Sequence, residues 1–385
     1  MSQQLRVPFN VPTLLGTELS NASSVIASGR FATGGAFTQQ CSDMLSTIFG
    51  NKAALLTTSC TAALEIAAIL LDLEPGDEVI IPGFTFVSTA NAFASRGATV
   101  KFVDIEPDTF GIDPVALETA VSNRTRAVVL VHYGGAPAVS LKSILEIAKS
   151  ASVPVIEDNA HGFLGSVDGR LLGSFGDLCT LSFHETKNIS CGEGGALIIN
   201  DEKFEARARV VHSKGTNRDA FLAGMVDKYT WQDFGSSFGI SELPSAILRE
   251  QIASRESIQS SRKKIWERYY SELSVLSQDW GVGLPFVAPG VRHAHHIFHL
   301  LMRNEAQRDH FIAHMAEHSV QTCFHYPPLN LSPMALRLGI AVACPVTEDV
   351  SRRLVRLPLF SSLTVAQQSH VIEMAKSFFT SRVAE

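Results

Sequence analysis

The sequence predicts an α/β fold: a large unit built on a mostly parallel sheet, followed by a smaller α+β unit. Three observations carry this expectation. Between about residues 52 and 200, short apolar runs alternate with helical stretches at βαβ spacing, which implies parallel strands covered on both faces. Turn-forming residues punctuate that alternation. After about residue 240 the texture changes to one long helical pattern and shorter mixed elements. The 385 residues exceed what one simple core organises, so we divide the chain at 1–240 and 241–385.

The expected elements follow in order. Strand 53–57 leads into helix 61–71, strand 78–81 into helix 87–95, strand 99–103 into helix 114–121, and strand 126–131 into helix 141–149. Strands 153–157, 178–183 and 196–199 complete the sheet. Glu74-Pro75-Gly76-Asp77 is a turn before a strand, and Asp113 followed by Pro114 is a helix start with its N-cap. Residues 1–50 suggest an arm and one helix. A single helix is expected over 241–273 and a strand over 299–302.

Composition narrows the function. A net charge of -6 without a basic cluster argues against nucleic acid or an anionic membrane as the partner. Six scattered cysteines without a CxxC pair indicate neither a disulfide framework nor a zinc ribbon. Met1-Ser2-Gln3-Gln4 is polar and lacks an apolar leader, and the apolar stretch at 62–71 is too short to span a bilayer. A cytoplasmic enzyme for small molecules is the expectation.

In open α/β sheets, ligands sit beyond the carboxyl ends of the strands. Thr58-Ser59-Cys60-Thr61-Ala62-Ala63 follows the first strand and opens a helix. Small residues and free N–H donors suit a phosphate there, although Ser59 or Thr61 could serve only as a cap. Glu157-Asp158-Asn159-Ala160-His161 ends another strand; such a pair could hold a metal, a ribose or a protonated ring nitrogen, or simply be solvated. His184-Glu185-Thr186-Lys187-Asn188 follows a third, ahead of Cys191-Gly192-Glu193-Gly194-Gly195. Desolvation at that place would lower the pKa of Lys187 and expose a nucleophilic amine. A lysine, an acid and a phosphate cradle are the three protein parts that pyridoxal phosphate needs. No dinucleotide or P-loop fingerprint occurs, and Asn188 breaks the zincin pattern begun by His184-Glu185. His293, His295, His296 and His299 are expected to be a satisfied segment, and no metal site is expected.

Pro82-Gly83-Phe84-Thr85-Phe86-Val87-Ser88-Thr89, Val131-His132-Tyr133-Gly134, Glu157-Asp158-Asn159-Ala160-His161, Ser182-Phe183-His184-Glu185-Thr186-Lys187-Asn188, Gly192-Glu193-Gly194-Gly195 and Phe324-His325-Tyr326-Pro327-Pro328-Leu329 occur in order along nearly the whole chain. In these segments the chain resembles the DegT/DnrJ/StrS-type nucleotide-sugar aminotransferases. Lys214-Gly215-Thr216-Asn217-Arg218 and Val226-Asp227-Lys228-Tyr229-Thr230-Trp231 most resemble the branch that makes dTDP-4-amino-4,6-dideoxygalactose for the bacterial cell envelope.

The resemblance implies an aspartate-aminotransferase-like fold, that of fold-type-I pyridoxal-phosphate enzymes. It also implies a homodimer and transfer of an amino group from L-glutamate to dTDP-4-keto-6-deoxy-D-glucose. By the same resemblance Lys187 bears the cofactor, Asp158 faces its ring nitrogen, Phe86 stacks on the ring, Thr61, Ala62 and Ser182 contact the phosphate, and His161 lies beside it. Lys214, Asn217 and Arg218 are expected at the substrate's diphosphate, unless that loop is merely solvated. His325 and Tyr326, braced by Pro327-Pro328, are expected at the sugar. Two positions depart from the family: Gly239 replaces an asparagine that reaches the partner's phosphate, and Asn159 replaces a small residue. A sugar 3-aminotransferase, a dehydratase or a regulatory relative are the alternatives. Lys187 stands where the family's dehydratases carry histidine, which favours transamination.

Overall fold

The computed structural model describes residues 5–380, apart from the side chain of Asp219; the polar start at 1–4 lies outside the described residues. The main sheet has seven strands: β1 (Ala53–Thr57), β2 (Glu78–Pro82), β3 (Thr99–Val103), β4 (Thr125–Val131), β5 (Val155–Asp158), β6 (Leu178–Ser182) and β7 (Gly195–Ile199). Their spatial order is β1-β7-β6-β5-β4-β2-β3. Only β7 runs antiparallel to its neighbours; β2–β3, β2–β4, β4–β5 and β5–β6 are parallel. The carboxyl ends of β1, β5 and β6 therefore share one edge with the amino end of β7. Thr57 and Ser182 both pair there with Gly195. A Cβ on Gly195 would stand 2.3 Å from the Ser59 carbonyl carbon, so only glycine lets the first helix start lie against the sheet.

The strands are apolar on both faces because both are covered. Ile66 and Ala67 of helix Cys60–Leu70 pack on Val79, Ile81 and Val129, while Leu117 and Ile144 pack on Ile80, Val128 and Leu130 from the other side. Ser59 caps Cys60–Leu70 and Asp113 caps Pro114–Ala120 through their side chains. A second core gathers Tyr269, Phe298, Leu300, Phe311, Val355, Leu357 and Phe379. It surrounds the antiparallel pair β8 (Phe298–Leu301) and β9 (Leu354–Leu357). Val7 of the N-terminal arm joins this core and exchanges backbone hydrogen bonds with Ser319 and Gln321.

Two expectations are corrected. The first 50 residues hold two helices, Glu18–Ser28 and Ala36–Ile48, because Gly29 (φ 66°) stops the first and the backbone turns at Gly34 (φ 83°) before the second. The helix expected over 241–273 is broken at Ser254 (φ −95°, ψ 9°) into Glu242–Ala253 and Arg255–Trp280. The first of these packs on the two N-terminal helices. The Glu242 carboxylate accepts from Phe37 N and Thr38 N, both at 2.9 Å. Along helix Arg255–Trp280, Ile258 packs in a cluster with the main sheet and Ile265 in the one around Tyr269. Among the described residues no helix is long and apolar enough to cross a membrane.

Candidate active site

Strand alternation separates the two acids at the end of β5. Glu157 is fully buried, and its carboxylate accepts from the N–H groups of Gly173 (2.7 Å), Phe175 (2.6 Å) and Gly176 (2.6 Å). It also meets His132 Nε2 at 2.7 Å. Those bonds saturate it and tie the 173–176 loop to the sheet. Asp158 points the other way. Its Oδ2 accepts from Thr89 Oγ1 (2.7 Å), while Oδ1 has only a long bond from Ala160 N (3.3 Å) and Cys60 Sγ at 4.0 Å. Burial raises the Asp158 pKa, against the opposing bonds from Thr89 and Ala160 and the charge of Lys187. A buried carboxylate with spare acceptor capacity suits a protonated partner.

Beside it stands the start of helix Cys60–Leu70. Ser59 Oγ accepts from Ala62 N at 3.1 Å, so Ala62 has its donor engaged. Among the described residues the N–H groups of Cys60 and Thr61 have no protein partner. Thr61 Oγ1 meets Ser88 Oγ at 2.7 Å. Two free N–H groups and two hydroxyls at a helix start form a place for an anion.

Lys187 follows β6 in a loop held by backbone bonds from Phe183 N to Gly194 O and from Cys191 N to Phe183 O. Its amine is enclosed; desolvation first, then the Arg356 charge, pushes its pKa down to about 8. The neighbouring histidines are pushed down too. His161 titrates well below its usual range through burial and the charges of Lys187 and Arg356. Its Nδ1 accepts from Gly134 N (3.3 Å), which leaves Nε2 to carry the proton toward Tyr326 OH (3.4 Å). The His161 and His296 rings lie 4.4 Å apart, and His296 Nδ1 is held by Asn188 Oδ1 at 2.9 Å. Tyr133 OH donates to His325 O (2.7 Å), drawing the 325–326 segment onto the sheet edge. Phe86 is 51% exposed, with its ring 5.7 Å from that of Tyr326. Lys187, Asp158, His161, Thr61, Phe86, Ser182, His325 and Tyr326 thus belong to one region.

The second group stands apart. Lys214 and Arg218 are exposed, and Asn217 Oδ1 accepts from Thr230 N at 2.8 Å. Among the described residues no ion pair reaches Lys214 or Arg218. Gly239 bridges Thr57, and a Cβ there would lie 2.5 Å from Thr33 Oγ1, so an asparagine does not fit without movement. Asn159 donates to Leu172 O (2.8 Å), while its Oδ1 is buried without a partner. In the histidine cluster, His293 Nδ1 accepts from His295 N (2.8 Å) and His299 packs on Phe110. Among the described residues no group of three His, Cys, Asp or Glu is placed to hold a metal.

Sequence reasoning missed Thr89 and Arg356. Thr89 lies one helical turn beyond Thr85, with which it shares a 2.9 Å contact. Arg356 was visible as a lone charge inside the apolar run Leu354-Val355-Arg356-Leu357.

The family model for DegT/DnrJ/EryC1/StrS aminotransferases matches residues 13–376. The spore coat polysaccharide biosynthesis protein SpsC of Bacillus subtilis is 31% identical over 379 residues, covering 96% of each chain. The aminotransferase TlmJ from Streptoalloteichus hindustanus superposes with a TM-score of 0.90 at 28% identity, over 98% of this chain and 100% of that one. Spr1654 from Streptococcus pneumoniae in its PLP form shares the fold, with a TM-score of 0.90 at 22% identity over 98% and 99% of the two chains.

Proposed function

The chain belongs to the DegT/DnrJ/EryC1/StrS aminotransferase family, and from that premise we propose a particular reaction. It is a pyridoxal-phosphate-dependent sugar aminotransferase. Its proposed substrate is dTDP-4-keto-6-deoxy-D-glucose, its donor L-glutamate and its product dTDP-4-amino-4,6-dideoxy-D-galactose. It works as a cytoplasmic homodimer in making a cell-envelope polysaccharide.

One observation supports this most: an enclosed amine with its pKa pushed down to about 8 shares a sheet edge with a buried carboxylate whose Oδ1 is nearly free. The residues present fit the cofactor. Asp158 would hold the proton on its ring nitrogen. The free N–H groups of Cys60 and Thr61, with the Thr61 and Ser182 hydroxyls, would hold its phosphate. Phe86 offers an exposed aromatic face to its ring. When bound, the cofactor supplies an electron sink and carries the amino group between donor and keto sugar.

The chain's own residues do the rest. Near pH 8 a useful fraction of Lys187 is neutral and can take a proton from the amino-bearing carbon. Burial strengthens the hold of Asp158 on a cationic partner. His161, kept neutral, donates through Nε2 without adding charge. His325 and Tyr326 are assigned to the sugar hydroxyls. Lys214, Asn217 and Arg218 are assigned to the diphosphate.

The test is an assay with glutamate against dTDP-4-keto-6-deoxyglucose, its 3-keto isomer and a GDP counterpart, with product stereochemistry read by NMR. An axial 4-amino product is expected. Preferred amination at C3 would replace the reading with that of a 3-aminotransferase. If glutamate fails to bleach the yellow holoenzyme, transamination itself is rejected.

A further inference from the structure

The loop that carries Lys214, Asn217 and Arg218 leaves the large unit and returns to it at one place. On the way out, His212 Nε2 donates to Leu56 O of β1 at 2.7 Å. On the way back, Phe238 O accepts from Thr58 N at 2.8 Å, and Gly239 bridges Thr57. Between these ties the two limbs pair with each other: Ser213 bridges Ser237, and Thr216 bridges Trp231. Gln232 N and Asp233 N both donate to Gly215 O, at 2.7 and 3.1 Å. Gly215 has φ 72°, and a Cβ there would stand 1.9 Å from Asp233 O, so only glycine lets the limbs close. The three candidate side chains therefore hang on a narrow neck.

Arg207, in helix Glu205–His212, clamps that neck. Its Nε donates to Asp233 Oδ2 (2.6 Å) and its Nη2 to Asp233 Oδ1 (3.5 Å). The far edge of the same guanidinium grips Asp72: Nη1 donates to Oδ2 and Nη2 to Oδ1, each at 2.6 Å. Nη1 also donates to Leu70 O at 3.3 Å. All five N–H groups are thus engaged within the protein. The bond to Asp233 raises the Arg207 pKa, with Asp72 adding to it against burial, and the bond from Arg207 in turn lowers that of Asp233. Asp233 is also the hub of the neck. Its Oδ1 accepts from Phe234 N (2.6 Å), and its carbonyl accepts from Trp231 Nε1 (2.7 Å). Leu70 ends helix Cys60–Leu70, and Asp72 follows two residues on. The start of that helix is the anion place beside Asp158. One helix therefore runs from the position assigned to the cofactor phosphate to the clamp on the loop.

Global stability does not account for this arrangement. The side chain of Arg207 is 31% exposed and that of Asp72 73% exposed, and ion pairs so open to water add little to folding. What a planar fork adds is geometry: it fixes two carboxylates in distance and angle at once. The segment so fixed carries two exposed cations. A loose loop must be ordered when it meets a polyanion, and that ordering weakens binding; a loop held beforehand avoids the loss.

We propose that Arg207 is a positioning residue for the sugar nucleotide: acting through Asp233, it holds the 214–231 loop in register with helix Cys60–Leu70. It has no N–H left over for a ligand, so it acts only through the loop. This rests on the reading above that assigns Lys214, Asn217 and Arg218 to the diphosphate.

The experiment uses holoenzyme and two unreactive probes, dTDP for the nucleotide and glutarate for the donor, titrated by calorimetry. The variants are R207Q, K214A/R218A and the triple combination. R207Q should weaken dTDP roughly 3- to 10-fold, no more than the loop's cations contribute, and leave the glutarate Kd within about two-fold. In the K214A/R218A background, R207Q should change dTDP by less than about two-fold, because the cations it positions are gone. R207K keeps the charge without the fork and should show most of the R207Q defect. D233N cuts the clamp on the loop side and should reproduce R207Q; it decides the matter if R207Q does not fold. Equal dTDP loss from R207Q in both backgrounds, parallel loss of glutarate, or unchanged dTDP binding in R207Q and D233N overturns the assignment. Failure of the loop reading shows separately, as K214A/R218A that binds dTDP like wild type; Arg207 then has no nucleotide to position, and the proposal falls with it.

Discussion

The same pair of residue types, a lysine and an arginine, occurs at the sheet edge and in the loop from 214 to 231, with opposite surroundings. Lys187 and Arg356 are enclosed, and each changes the other's neighbourhood: the Arg356 charge helps to push Lys187 down. Lys214 and Arg218 stand in solvent, beside Met225 (72% exposed) and Trp231 (79% exposed). The difference is one of dielectric. At the edge, desolvation favours the neutral, nucleophilic form of a lysine. In the loop, water screens the charge, and what remains is weak attraction for a polyanion. The acid and the lysine at the edge thus share an enclosed environment, while the loop's two cations do not.

The largest expected effect is at Lys187. K187A should lose measurable turnover while keeping its fold by circular dichroism; normal turnover would remove Lys187 from the chemistry. Enclosure also makes a pH statement with a definite sign. The amine is cationic below about pH 8 and neutral above it. Reloading of apoenzyme with pyridoxal phosphate, which needs the neutral amine, should rise with pH and level off above about 8. A rise continuing toward the ordinary lysine range near 10.4 would show that Lys187 is no more enclosed than Lys214.

The two acids of β5 sharpen the comparison within one strand. D158N keeps the shape and removes the charge, and kcat should fall on the order of 10²- to 10³-fold, the scale of a removed electrostatic partner, with cofactor still bound. E157Q should act differently. It disturbs a carboxylate that satisfies three N–H groups and His132. A stability loss of about 3–5 kcal/mol is expected, with kcat per folded molecule unchanged. Exchange of these two phenotypes in urea titrations and steady-state kinetics would mean that the wrong acid faces the cofactor.

Much of this edge was legible in the sequence, and the reasons are local. Strands 53–57 and 99–103 fall where expected: the first is a short apolar run that ends at the Ser59 helix cap, the second is rich in β-branched residues and follows Gly97. Lys187 was legible because it follows an apolar strand and precedes glycines. The break at Ser254 was not, since serine there is compatible with a continuing helix and only packing turns the chain. Which of Glu157 and Asp158 is saturated and which keeps acceptor capacity depends on the sheet and loop around them, which lie outside the motif itself. Arg356 needed register as well: its face is set by pairing with His299 and by Val355 and Leu357 entering a core built from distant helices.

The smallest effect belongs to the loop, and it is the one that tests whether the contrast is functional. An exposed cation meeting a phosphate contributes up to about 1 kcal/mol, so K214A or R218A should raise KM for the sugar nucleotide about five-fold at most. KM for glutamate should not move, because glutamate carries no diphosphate. The effect should shrink as salt rises. The double variant K214A/R218A should approach the sum of the single effects if both side chains face the same diphosphate independently. Equal changes in both KM values would assign the loop to the cofactor or to the fold. A salt-independent change confined to the sugar nucleotide would place these side chains in a closed site, and the contrast with Lys187 and Arg356 would vanish.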